Sequence, residues 1–153
     1  MVNKECDYTI HYYKQSMEDP VNILKVLLVD DYENVRRSLI SFLTKQRGVQ
    51  VIGEAASGDE AIAETERLHP DLVLMDLEMP DRGGIEAMRE IKLRSPSTRV
   101  VILSPHGGEI YRKMAWGNSA DGFIDKASMK QDLLRILLDE QDRISQQAVA
   151  TAA

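Results

Sequence analysis

A chain of 153 residues with 43% hydrophobic and 29% charged side chains has the composition of one soluble globular domain. Its net charge of −6 and pI near 5.1 count against nucleic-acid binding by this chain alone, and favour a cation or a basic partner surface. No apolar stretch nears the ~20 residues of a membrane span, residues 1–20 lack the apolar core of a signal peptide, and a single cysteine, Cys6, excludes an internal disulfide and fits a reducing cytoplasm.

Residues 1–22 differ in composition from the rest and read as an N-terminal extension. Tyr8, Ile10, Tyr12, Tyr13 and Met17 fit one side of a short helix stopped by Pro20, and a loosely held polar arm fits equally well. Ile23–Val29 is apolar and β-branched, hence a buried strand, and it runs into Asp30-Asp31. Across residues 33–47, Val35, Leu39, Ile40, Phe42 and Leu43 make a helical stripe, with Gly48 as its stop. Val49–Ala55 reads as a second strand and Gly58–His69 as a helix, with Ala61, Ile62 and Leu68 inward and Pro70 ending it.

The run Leu72–Met75 is uninterruptedly apolar, the mark of a strand buried on both faces, and it stops at Asp76 with Pro80 soon after. Ile85–Leu93 follows as a helix, broken at Ser95-Pro96. Arg99–Leu103 is a fourth buried strand ending at Ser104, and Glu109–Trp116 a weaker helix closed by Gly117-Asn118. Asp121–Asp125 gives a short fifth strand with Lys126 just beyond it. Ser128 and Gln131 have capping-box spacing for a last helix, whose apolar face is Leu133, Leu134, Leu137, Leu138 and Ile144. Residues 147–153 are low in complexity and are expected to be a disordered tail. Five strands alternating with five helices predict a doubly wound α/β domain with a parallel sheet, spanning residues 23–146.

In such a sheet the carboxyl ends of all strands converge on one edge. Asp30, Asp31, Asp76, Ser104 and Lys126 all stand there. Three carboxylates brought together repel, and burial would protonate them unless a cation intervenes. An all-oxygen set without thiolate or imidazole points to Mg²⁺. Lys126 supplies a point charge and Ser104 a hydroxyl donor for an anion. This chemistry suits Asp76 as a nucleophile toward phosphorus, giving an aspartyl-phosphate.

The pieces LLVDD at 27–31, DLVLMDLEMPDRGGIEAM at 71–88, VVILS at 100–104 and ADGFIDKAS at 120–128 resemble the receiver domain of two-component response regulators, over Leu24 to Ile144. The resemblance implies a flavodoxin-like sheet of strand order 2-1-3-4-5. It implies Asp76 as phosphoacceptor, Mg²⁺ held by Asp31, Asp76 and the main-chain carbonyl of Glu78, and Asp30 assisting through water. It further implies Ser104 and Phe123 as the switch pair and a sensor histidine kinase or phosphotransfer protein as donor. The surface of the fourth helix and fifth strand is the part expected to change. LSPHGGE at 103–109, with ADGFIDKAS, looks most like the NarL/LuxR branch, whose members usually carry a DNA-binding domain after the receiver. No helix-turn-helix pattern precedes Ala153, so the expectation is either a single-domain switch or the receiver part of a transcriptional regulator. A homodimer paired through helix faces is compatible with the broad leucine face of the last helix.

Plainer readings stand beside these: Ser104 as a strand cap, Phe123 as core, Lys126 as a solvated lysine, His106 as either a lining or a loop residue. Two other functions compete with the switch. One is a constitutive interaction module that keeps the fold with weak phosphorylation; the other is a stand-alone phosphatase.

Pro105 is the departure from the family pattern. Receivers usually place a small residue there, whose N–H donates to a phosphoryl oxygen, and proline has none. A hydrogen bond to a charged oxygen is worth roughly 1.5–3 kcal/mol, and proline also holds Ser104 toward extended backbone. Pro105→Ala is therefore expected to raise steady-state phosphoryl occupancy about ten- to hundredfold, read by intact mass after a small phosphodonor and Mg²⁺. Unchanged rate, lifetime and conformation would remove Pro105 from the account.

Overall fold

The computed structural model of the protein describes residues 22–152. The reading of Tyr8 to Met17 as a helix face, and Ala153, lie outside the described residues. Five strands alternate with five helices: β1 (Leu24–Val29), α1 (Glu33–Leu43), β2 (Val49–Ala55), α2 (Gly58–Leu68), β3 (Leu72–Asp76), α3 (Gly84–Arg94), β4 (Arg99–Ser104), α4 (Glu109–Gly117), β5 (Gly122–Asp125) and α5 (Met129–Ala152). All pairings are parallel and the strand order is β2-β1-β3-β4-β5, as expected.

The continuous apolar runs are explained by two buried sheet faces. Leu24, Val26 and Leu28 of β1, Leu72 and Leu74 of β3, and Val101 and Leu103 of β4 pack with Leu39 and Leu43 of α1 and Leu133 and Leu137 of α5. The alternate residues Leu27, Val29, Val73, Met75, Val100 and Ile102 pack with Ile62, Met88, Ile91 and Ala115 from α2, α3 and α4. Successive side chains on a strand point to opposite faces, so β3, covered by helices on both sides, is buried at every position and turns polar only at its end, Asp76.

Three boundaries differ from the sequence reading. α1 stops at Leu43 rather than Arg47: the Thr44 hydroxyl donates back to the Ile40 carbonyl at 2.8 Å, and tighter turns lead to Gly48 at φ 72°. The expected Ser128–Gln131 capping box does not form. Instead Asp125 accepts from the Ala127 amide at 2.9 Å to start a 3₁₀ turn over Lys126–Ser128, and the Ser128 hydroxyl donates to Asp132 at 2.7 Å. Over residues 147–152 the expected disordered tail is also corrected, because α5 is helical through Ala152. Ala148, Ala150 and Ala152 are strong helix formers, and no glycine or proline interrupts them.

α3 begins hard against the end of β3. The Gly84 amide donates to the Leu77 carbonyl at 3.2 Å, and a Cβ on Gly84 would run into the Asp76 carbonyl oxygen, whereas one on Gly83 meets nothing within 4 Å. Gly84→Ala is therefore expected to destabilise the domain by roughly 1–3 kcal/mol in denaturant unfolding, while Gly83→Ala stays within about 0.5 kcal/mol of the parent. Equal effects would mean that this approach does not constrain the strand end.

Candidate functional site

The sheet's crossover places the acids together. After β1 the chain runs outward to β2, then returns on the other side to β3, so β1 and β3 are neighbours at the point where the strand order reverses. Connections leave that point in opposite directions and open a crevice at the carboxyl ends. Asp30 and Asp31 follow β1, and Asp76 is the last residue of β3. Their carboxylate oxygens lie within 4.8 Å of one another.

Each acid is held differently. Asp30 is fully buried; its Oδ1 accepts from the Tyr32 amide at 2.9 Å, and its carbonyl accepts from Arg36 of α1 at 2.7 Å. Asp76 is 2% exposed. Lys126 reaches past β4 from the end of β5, setting its Nζ 2.9 Å from Asp30 Oδ2 and 3.0 Å from Asp76 Oδ1. The contact to Asp76 is an ion pair by distance but is not aligned as a hydrogen bond, so Asp76 Oδ1 and Asp31 Oδ1 are buried polar atoms without a hydrogen-bond partner. Two of the three carboxylates thus share one ammonium, and the third, Asp31, adds a negative charge beside them.

Titration follows from this imbalance. Burial pushes the Asp76 carboxyl up to about 6, Lys126 opposes that shift, and the Asp30 and Asp31 charges add to it. Burial works against the Lys126 ammonium, yet the carboxylates of Asp30 and Asp76 beside it outweigh burial and raise its pKa. An all-oxygen donor set, in which Asp31 Oδ1 has no hydrogen-bond partner and Asp76 Oδ1 has only the ion pair to Lys126, fits a hard divalent cation.

The site opens to solvent through a cleft of about 740 Å³, with Asp31, Asp76 and Lys126 among its lining and Met79, Pro80 and Pro105 beside them. Ser104 lies one residue beyond Leu103, the register partner of Asp76, and is buried. Its hydroxyl is engaged by its own loop: Oγ accepts from the His106 amide at 3.0 Å and donates to the His106 carbonyl at 3.2 Å. Phe123, on β5, is 5% exposed and belongs to the core on the α4 side. Glu78 lines the cleft, and its carboxylate is 3.1 Å from His106 Nε2. This bridge and the Arg36 contact were not visible in the sequence, where Glu78 entered only through its carbonyl. Each joins separate segments, and neither sits in a periodic pattern.

Comparison with known proteins agrees with this geometry. The model of the response regulator receiver domain matches residues 26–138, and the chain belongs to that family. Over 112 residues it is 43% identical to the response regulator protein VraR of Staphylococcus aureus, an alignment covering 72% of this chain and 53% of that one. The chain thus spans about half the length of that relative. Its fold superposes with a TM-score of 0.72 on the response regulator domain of Thermotoga maritima CheB, at 30% identity over 78% of this chain and 97% of that one. The signal receiver domain of the putative response regulator NarL from Mycobacterium tuberculosis gives 0.73, at 26% identity over 79% and 98%. The expected likeness to the NarL/LuxR branch holds. Among the described residues no helix is long and apolar enough to cross a membrane.

An acid whose folded pKa lies above its unfolded value keeps a proton that the unfolded chain has already lost, so stability falls as pH rises between the two. For Asp76 that window runs from the ordinary 3.8 to about 6. In EDTA at pH 7.5, Asp76→Asn is expected to melt roughly 4–8 °C above the parent, a gap that closes toward pH 4. Mg²⁺ should narrow it at pH 7.5 by stabilising the parent. A gap independent of pH would show that Asp76 is not the strained carboxylate.

Proposed function

We propose that this chain is a phosphorylation-controlled switch of a two-component system, working in the cytoplasm. Asp76 accepts a phosphoryl group from the phosphohistidine of a sensor kinase or phosphotransfer protein. The observation that carries this reading is the buried Asp76 carboxylate, 3.0 Å from the Lys126 ammonium and gathered with Asp30 and with Asp31, whose Oδ1 is buried without a hydrogen-bond partner. With its carboxyl near 6, Asp76 is mostly ionised at neutral pH. One of its oxygens forms the P–O bond as the donor's P–N bond breaks, and the electron pair leaves with the imidazole. Asp31, Asp76 and the Glu78 main-chain carbonyl would hold Mg²⁺, with Asp30 assisting through water. When bound, the metal supplies positive charge against the phosphoryl oxygens. Lys126 neutralises charge on the same group, which is most of what a protein contributes to phosphoryl transfer.

Ser104 then leaves the His106 backbone for a phosphoryl oxygen, Phe123 reorients, and the α4–β5 surface changes. A larger regulator carrying a DNA-binding domain, and a homodimer, are outputs compatible with this switch. A second reading is a receiver-like interaction module with little phosphorylation. It is favoured by one specific arrangement: Pro105 lacks the N–H, and the Ser104 hydroxyl is bonded to His106 through both its donor and its acceptor. The phosphatase reading has no comparable support, since the cleft is open.

Acetyl phosphate with Mg²⁺ is expected to add the mass of one phosphoryl group to the parent and none to Asp76→Asn. Lys126→Ala should slow the gain by roughly a hundredfold. A mass gain that persists in Asp76→Asn rules out the assigned acceptor, and no gain in either the parent or Pro105→Ala favours the interaction module.

A further inference from the structure

The loop between β4 and α4 is held from several sides. The Ser104 hydroxyl is closed onto the His106 backbone, and the His106 ring stacks on Tyr111 with centroids 5.1 Å apart and 22° between planes. A Cβ on Gly107 would run into the Asp125 carboxylate, so the loop lies tight on the end of β5. Arg112, in the second turn of α4, completes the set. Its Nε donates to the Gly107 carbonyl at 3.3 Å, and its guanidinium carbon stands 4.9 Å from the centroid of the Phe123 ring. One guanidinium therefore holds a loop carbonyl and stands over a nearly buried aromatic ring. That double contact needs the guanidinium's shape: an ammonium is a point donor and offers no stacking face.

The two contacts constrain each other. If Phe123 turns away, the guanidinium loses its desolvated aromatic partner. If residues 105–108 shift to free the Ser104 hydroxyl, the Gly107 carbonyl leaves Arg112. Neither movement keeps the guanidinium satisfied in its present position.

We infer that Arg112 is a positioning residue that joins two conformations into one state: the loop in which Ser104 is committed to His106, and the buried placement of Phe123. This rests on the switch reading above and goes further by naming what weights its resting side. Arg112 touches no reacting atom. It acts on how often the Ser104 hydroxyl is available, and the apparent affinity for a phosphoryl mimic scales with that available fraction.

The test uses the full chain and beryllofluoride with Mg²⁺, titrated by ¹H–¹⁵N NMR. Arg112→Gln should bind roughly five- to tenfold more tightly than the parent because the resting state has lost its clasp. Arg112→Lys should resemble Arg112→Gln, since charge alone cannot make both contacts. The gain should vanish when Arg112→Gln is placed on Phe123→Leu, the signature of a coupled pair. Unchanged affinity in Arg112→Gln, or an equal gain with and without Phe123, overturns the inference. A parent chain that ignores beryllofluoride overturns the switch reading instead. The coupling is then decided in the metal-free protein: Arg112→Gln should increase relaxation-dispersion exchange at Gly107 and Phe123 together, and a change at only one of them overturns it.

Discussion

Lys126 extends across the end of β4 until its ammonium is 2.9 Å from Asp30 and 3.0 Å from Asp76, acids carried by two adjacent strands. Without that charge, burying both acids would favour their neutral forms, and a neutral Asp76 is no nucleophile. With it, the site still carries more negative than positive charge, because Asp31 also faces the cluster. One ammonium is enough to keep the carboxylates compatible with folding and too little to satisfy them. The residual demand for positive charge is what makes the edge of this sheet fit a divalent cation.

The rest of the molecule keeps that unsatisfied cluster in place. Both sheet faces are covered, so the strands that deliver Asp30 and Asp76 cannot tilt without opening one of two cores. α3 starts on the Asp76 carbonyl with only a glycine's clearance, which fixes the strand end along its own direction. Below the sheet's other edge, Arg99 ties β4 to the buried Glu140 of α5 and to Asp121, with Lys92 of α3 on the same aspartate. The acids thus stand on a rigid base.

The loop that carries Pro105, His106 and Gly107 is of a different kind. It is held by hydrogen bonds, a ring stack and a guanidinium rather than by apolar burial, and such contacts exchange readily for water or for an anion. The acids are thus fixed by apolar cores, while the neighbouring loop is held by polar contacts that can rearrange without disturbing those cores.

Apolar periodicity was sufficient to read the strands, the helices and their parallel pairing, because burial on both faces leaves an unmistakable run of Leu, Val and Ile such as Leu72–Met75. It also set Asp30, Asp31, Asp76, Ser104 and Lys126 at strand ends, and a parallel sheet gathers strand ends on one edge. What it left out is of two sorts. The end of α5 was misread because low complexity in Ala148–Ala152 resembles a tail, although alanine favours helix even when exposed. The start of α5 was misread because a 3₁₀ turn capped by Asp125 precedes it, and there the Ser128 hydroxyl donates to Asp132 instead of capping the Gln131 amide.

The local order of residues by itself determined the layers and which side chains share the sheet's carboxyl edge, since both depend on periodicity along one strand. Only the folded chain decided that Lys126 reaches two acids rather than one, that the Ser104 hydroxyl is occupied by His106, and that Arg112 bridges Gly107 and Phe123. Those distances depend on how neighbouring elements pack and on side-chain rotamers, and neither leaves a repeating trace in the sequence.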